Sequence, residues 1–76
     1  MKTLSSDLYR DFLPLMRDVR ISAKLSQVEL AQRLGRPQSF VSKYESGERR
    51  LDVIEFIVIC QAIGVDPEKL IKKLVG

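Results

Sequence analysis

The chain has 76 residues, 45% of them hydrophobic, which suits one small domain near the lower size limit for a self-sufficient core and leaves no room for a second. Its single cysteine, Cys60, excludes an internal disulfide, and with no histidine present a metal-ligand set and imidazole catalysis drop out together. The net charge of +3 is modest but localised: residues 32–50 hold five cations (Arg33, Arg36, Lys43, Arg49, Arg50) against two anions (Glu45, Glu48), while the rest of the chain is balanced, so the excess sits where a polyanion could be attracted.

Residues 1–5 are expected to be disordered and lack the apolar stretch of a signal peptide, and no run elsewhere approaches the ~20 apolar residues of a membrane helix. A cytoplasmic protein without membrane contact is therefore expected. Residues 15–23 read as a helix carrying Met16, Val19 and Ala23 inward, preceded by a stretch from about Ser6. Pro14 interrupts this segment: it either starts the main first helix or kinks a longer one, and the sequence favours a turn of helix from Ser6 or Asp7, then a bend.

The next helix opens with a capping box, Ser26 with Glu29, and a Leu25–Leu30 staple. Leu30, Ala31 and Leu34 share its inner face, and Gly35 can take the positive φ that closes it. Pro37 prevents continuation, and the helical period resumes at Gln38 with Phe40, Val41 and Tyr44 on one side and Gln38, Ser39, Ser42 and Lys43 on the other. The second side is polar and reads outward. Asp52 and Glu55 form another capping box with a Leu51–Phe56 staple, and Gly64 ends that helix. Asp66 caps a last helix whose first residue is Pro67, with Val65 and Leu70 as staple. Five helices and no strands are expected.

Residues 26–47 contain two short helices joined by a tight turn, and the chain resembles the phage repressor and Cro type of helix-turn-helix protein, the lambda-repressor-like family. Gln27, Glu29, Leu30, Ala31, Leu34, Gly35, Val41, Ser42, Glu45 and Gly47 carry the resemblance, which covers residues 17–70. It implies an all-α, compact five-helix DNA-binding domain with its helix-turn-helix at residues 27–45. Ala31 is small where the two helices would cross, and Val41 is the branched residue that packs into the crossing. Lys24 departs from the family, which usually has glycine there: either the turn differs or it carries about 1 kcal/mol of strain.

An α-helix fits the major groove of duplex DNA and its N-terminal residues reach base edges, so Gln38, Ser39, Ser42 and Lys43 are the candidates for reading sequence. The amide of Gln38 matches N6 and N7 of adenine, and Lys43 can reach O6 and N7 of guanine. The resemblance implies that Gln27 touches a phosphate and braces Gln38. Arg36, Ser46, Arg49 and Arg50 are the further phosphate candidates, whereas Arg33 can equally belong to a solvated face. The resemblance also marks Arg20 and Glu45 as an internal salt bridge, so that Glu45 would not repel phosphate.

Phe40 and Tyr44 could suggest base stacking, but they share a face with Val41 and read as core. Cys60 lies between Phe56 and Ile63 on an inward face, which favours packing over redox chemistry. Ile54, Ile57 and Val58 occupy the opposite face of that helix and predict a two-fold dimer contact, with Ile71 or Val75 nearby, and hence a palindromic operator.

The expected function is sequence-specific binding of double-stranded DNA by a homodimeric transcriptional regulator, a repressor. The alternative is a protein-interaction module of antitoxin-like or bridging type. Catalysis is not expected, for want of histidine, a metal set, a phosphate loop or a pocket of usual size, and no cofactor or small-molecule ligand is indicated.

Overall fold

Capping chemistry decides where these helices start. The computed structural model describes residues 4–76, which form α1 (Leu4–Ser22), α2 (Gln27–Leu34), α3 (Gln38–Ser46), α4 (Val53–Ile63) and α5 (Pro67–Val75), with no strand among them. At α2 the Ser26 hydroxyl accepts from Glu29 N–H at 3.0 Å, and Ser26 N–H donates to Glu29 Oε1 at 2.9 Å. Asp52 and Glu55 repeat the exchange at α4, at 2.7 and 3.0 Å. Asp66 Oδ1 accepts from Glu68 N–H at 2.9 Å, with Pro67 in the first turn of α5. Each such cap contributes about 1 kcal/mol.

Pro14 does not divide the first segment. It lies inside α1, which is a single helix of 19 residues, so the expected bend after a short first turn is not the arrangement adopted. A proline inside a helix costs about 3 kcal/mol, and packing on both sides of it supplies the compensation. Phe12 stacks tilted on Phe56, ring centroids 5.7 Å apart. Leu13 lies against Gly47, and Met16 is fully buried. Of residues 1–5, expected to be disordered, Leu4 and Ser5 fall within the bounds of α1, and residues 1–3 lie outside the described residues.

Ala23 is also corrected: α1 ends at Ser22, and Ala23 is exposed in the turn. Lys24 takes φ +61° there. Lys24 N–H donates to Ile21 O at 2.9 Å and Leu25 N–H to Arg20 O at 3.2 Å, the paired bonds of a left-handed helix stop. A lysine thus occupies the position that glycine takes at the end of α2, where Gly35 has φ +64°.

Leu25, Leu30, Ala31, Phe40, Val41, Tyr44, Phe56, Ile59, Cys60, Ile63 and Leu70 close around Met16 as one core. In this core α1 packs on α3 and α5, α2 on α3 and α4, and α4 on α5. Helix α3 is thereby held from two sides with its polar face left open. Gly47, at φ +85°, ends it where α1 passes so closely that an added Cβ would stand 3.0 Å from Leu13 Cδ1. Only glycine meets both demands without strain.

Candidate nucleic-acid interface

The apolar residues of α3 turn inward, so the helical period forces the intervening polar ones out. Gln38, Ser39 and Lys43 are exposed, while Ser42 is half-buried and its hydroxyl donates to Ser39 O at 3.2 Å. No side chain caps the start of α3, because Pro37 occupies the N-cap position. Phe40 N–H donates to Pro37 O at 3.0 Å, and the amides of Gln38 and Ser39 stand without a side-chain cap at the positive end of the helix dipole, an arrangement suited to anions.

A chain of hydrogen bonds runs from the interior to this helix start. Arg20, the buried charged residue among those described, donates from Nε to Glu45 Oε2 at 2.7 Å and from Nη2 to Glu45 Oε1 at 3.1 Å. Its Nη1 donates to Leu25 O at 2.8 Å. Glu45 raises the guanidinium above its ordinary pKa, chiefly through those hydrogen bonds. Gln27 Nε2 donates to Glu45 Oε1 at 3.1 Å, and Gln27 Oε1 accepts from Gln38 Nε2 at 3.3 Å. The carboxylate of Glu45 is thus satisfied within the protein and offset by Arg20.

The basic residues around α3 are tethered. The Arg36 guanidinium lies 4.1 Å from the centre of the Phe40 ring and that of Arg49 lies 4.9 Å from the same ring. Arg49 also makes a two-pronged ion pair with Glu55, Nη1 to Oε1 at 3.0 Å and Nη2 to Oε2 at 2.8 Å. Those bonds, with the Asp52 N–H, pull the Glu55 carboxyl down to about 2. Arg50 stacks 4.3 Å over the Tyr9 ring, and the Tyr9 hydroxyl donates to Arg49 O at 3.4 Å. Ser46 is exposed, its hydroxyl donating to Lys43 O at 3.1 Å. Arg33 instead reaches Ala62 O at 2.9 Å, where it meets the negative end of α4 and not the face of α3.

The structure therefore gathers Gln27, Gln38 and Glu45 with Arg20 in one network, and Arg36 with Arg49 around Phe40. Reading the sequence missed the second role of Glu55, which was visible only as a capping partner, and Tyr9, for which no local signal exists. Phe40 and Tyr44 are buried, their rings edge to face at 5.6 Å. The Tyr44 hydroxyl is buried without a hydrogen-bond partner among the described residues, and burial pushes its phenol up. Cys60 is fully buried, and desolvation raises its thiol to about 11.

On α4, Ile54 is 65% and Val58 45% exposed, beside an equally exposed Val53 that the sequence reading passed over. Ile57 is half-buried and packs against the core, so it adds only an edge to that patch. Ile71 and Val75 on α5 are exposed as well. Among the described residues no group of side chains could hold a metal ion, and no helix is long and apolar enough to cross a membrane.

A short exposed helix, uncapped at its start, flanked by cations and crossed by a tightly joined neighbour, defines a helix-turn-helix protein of the lambda-repressor/Cro-like kind. Residues 16–70 match the helix-turn-helix family, and the chain belongs to that family, in its XRE branch of DNA-binding transcription regulators. It is similar to a solved structure described as an XRE-family like protein from Pseudomonas syringae pv. tomato str. DC3000, with 54% identity and a TM-score of 0.90 over 95% of this chain and 88% of that one. No curated protein matches the chain.

Proposed function

We propose that the protein is a sequence-specific repressor that acts in the cytoplasm, binding double-stranded DNA as a homodimer with α3 in the major groove. The observation that carries this reading is the amide of Gln38. Its Nε2 spends one hydrogen on Gln27, which leaves one N–H and the carbonyl oxygen, the donor and acceptor that adenine N7 and N6 require. Ser39, Ser42 and Lys43 read the neighbouring bases. Gln27, Arg36, Ser46, Arg49 and Arg50 hold phosphates, with register fixed by the start of α2.

Val53, Ile54 and Val58 form the apolar patch that a second copy covers, with Ile57 at its edge. The two recognition helices then lie about 34 Å apart on a palindromic operator. Sedimentation at high micromolar concentration tests the dimer directly, and a strict monomer removes it. Selection of bound sequences from a random duplex pool tests recognition, symmetry and spacing together. The expected product is an inverted repeat. With three arginines per protomer, the slope of log affinity on log salt is expected near about −5. No enriched sequence and no salt dependence would instead favour a protein-holding module of antitoxin-like or bridging type. Loss of transcription from a promoter carrying the selected site, on adding the protein, distinguishes repression from activation.

A further inference from the structure

We propose that Glu55 is a positioning residue for DNA binding: its carboxylate occupies the terminal fork of Arg49 and so presents the lateral fork of the same guanidinium to a phosphate. The inference rests on the reading above and names a residue outside its contact set. A guanidinium has five N–H donors. Arg49 spends three: Nη1 on Glu55 Oε1 and on Arg50 O, each at 3.0 Å, and Nη2 on Glu55 Oε2 at 2.8 Å. The Nε–H and the second Nη2–H, on one edge of the plane, carry no hydrogen-bond partner among the described residues. That edge is a complete fork for two phosphate oxygens.

The anchor is rigid because Glu55 is itself fixed. Its Oε1 also accepts from Asp52 N–H at 3.0 Å, which ties the carboxylate into the first turn of α4. The Phe40 ring limits the guanidinium from one face. Arg49 N–H donates to Lys43 O at 3.1 Å, so the loop residue is joined to the end of α3 through its backbone as well. Its side chain nevertheless remains 40% exposed. Two helices, α3 and α4, thus converge on one partly exposed arginine whose Nε edge is unspent.

Charge alone argues the opposite way. A carboxylate beside the DNA-facing loop repels phosphate and cancels the charge of Arg49, so on electrostatic grounds its removal should tighten binding. Positioning and charge therefore predict changes of opposite sign, which makes the assignment decidable.

The experiment measures affinity for the duplex selected by the wild-type protein, using Glu55→Gln, Arg49→Ala, the double variant and Arg49→Lys. Glutamine keeps an oxygen for Asp52 N–H, so the start of α4 is retained, and a thermal melt checks that each variant is folded at the temperature used. Glu55→Gln is expected to weaken binding about 5- to 10-fold despite adding one unit of net charge, and Arg49→Ala about 10-fold. The double variant should be no weaker than Arg49→Ala alone. Arg49→Lys, which keeps charge but has no fork, should weaken binding about 5-fold. Equal or tighter binding by Glu55→Gln, losses that multiply, or wild-type affinity in Arg49→Lys each overturn the proposal while leaving DNA binding intact. Failure of the wild-type protein to bind any duplex overturns both.

Discussion

Gln38 and Gln27 are joined across the turn of the motif, Nε2 of the first donating to Oε1 of the second at 3.3 Å. The bond aims one amide with another, whose own orientation is set by Glu45. Truncating the brace should free the rotamers of Gln38 without altering its own exposed amide. Gln27→Ala is therefore expected to weaken binding to the selected duplex about tenfold and to reduce preference at the base that the proposed function assigns to Gln38, where an intact pair contributes ~1–3 kcal/mol. Binding to duplexes altered at that base alone checks this. A uniform loss across all of them would assign Gln27 to phosphate only.

Removing one member of the Arg20–Glu45 pair leaves the other charged, with only 9% and 5% of the two side chains exposed. Glu45→Ala should cost ~3–5 kcal/mol in urea denaturation, whereas Arg20→Met with Glu45→Leu should recover most of that loss. The double variant should still bind DNA poorly, since Gln27 then loses the acceptor that orients it. Recovery of both stability and binding would reduce the pair to a packing element.

The hydroxyl of Tyr44 presents a simpler case, because it is enclosed and has no hydrogen-bond partner among the described residues. A buried polar group in that condition costs ~1–3 kcal/mol. Tyr44→Phe should equal or exceed the wild type, by about 1 kcal/mol, seen as a melting midpoint raised by roughly 4–8 °C. A lower midpoint would mean that the hydroxyl has a partner in solution.

Much of the fold was legible because its signals are local. Ser26 with Glu29, Asp52 with Glu55 and Asp66 with Pro67 each mark a helix start within three residues, and the alternation of Phe40, Val41 and Tyr44 with polar neighbours orients α3 from period alone. Pro14 was misread for the complementary reason: what holds α1 together across it, Phe56 and Gly47, lies more than 30 residues away in sequence. The same limit applies at the site. The outward placement of Gln38, Ser39 and Lys43 follows from helical spacing, but the tether of Arg49 to Glu55 crosses a loop whose path no periodicity encodes. Arg50 over Tyr9 spans half the chain.

Lys24 offers a stability test independent of DNA. At φ +61° it carries the left-handed penalty of a side chain, about 1 kcal/mol, in an exposed turn. Lys24→Gly should be neutral to stabilising by up to ~1 kcal/mol, the relieved strain being partly offset by the greater freedom of glycine when unfolded. Clear destabilisation in urea would show that the lysine side chain makes a contact that outweighs its backbone.

Acid sensitivity follows from Glu55. Its folded pKa, about 2, lies below the ordinary carboxylate value of 4.5. The folded state therefore binds its proton less readily than the unfolded chain does. The resulting stabilisation is fully present above pH about 4.5 and is lost progressively as pH falls toward about 2. Urea midpoints measured across that window should fall for the wild type and fall less steeply for Glu55→Gln. Parallel slopes would remove Glu55 from the acid response.

The sealed thiol of Cys60 turns the protein into its own gauge. Because the chain has one sulfhydryl, fully enclosed, an aromatic disulfide reagent can reach it only when the core comes apart. The ratio of its reaction rate to that of a free thiol then counts the open molecules directly. Any duplex that grips only the closed form must slow that clock in proportion to its occupancy, so the strength of duplex binding becomes measurable from the sulfur atom, with no dye on either molecule.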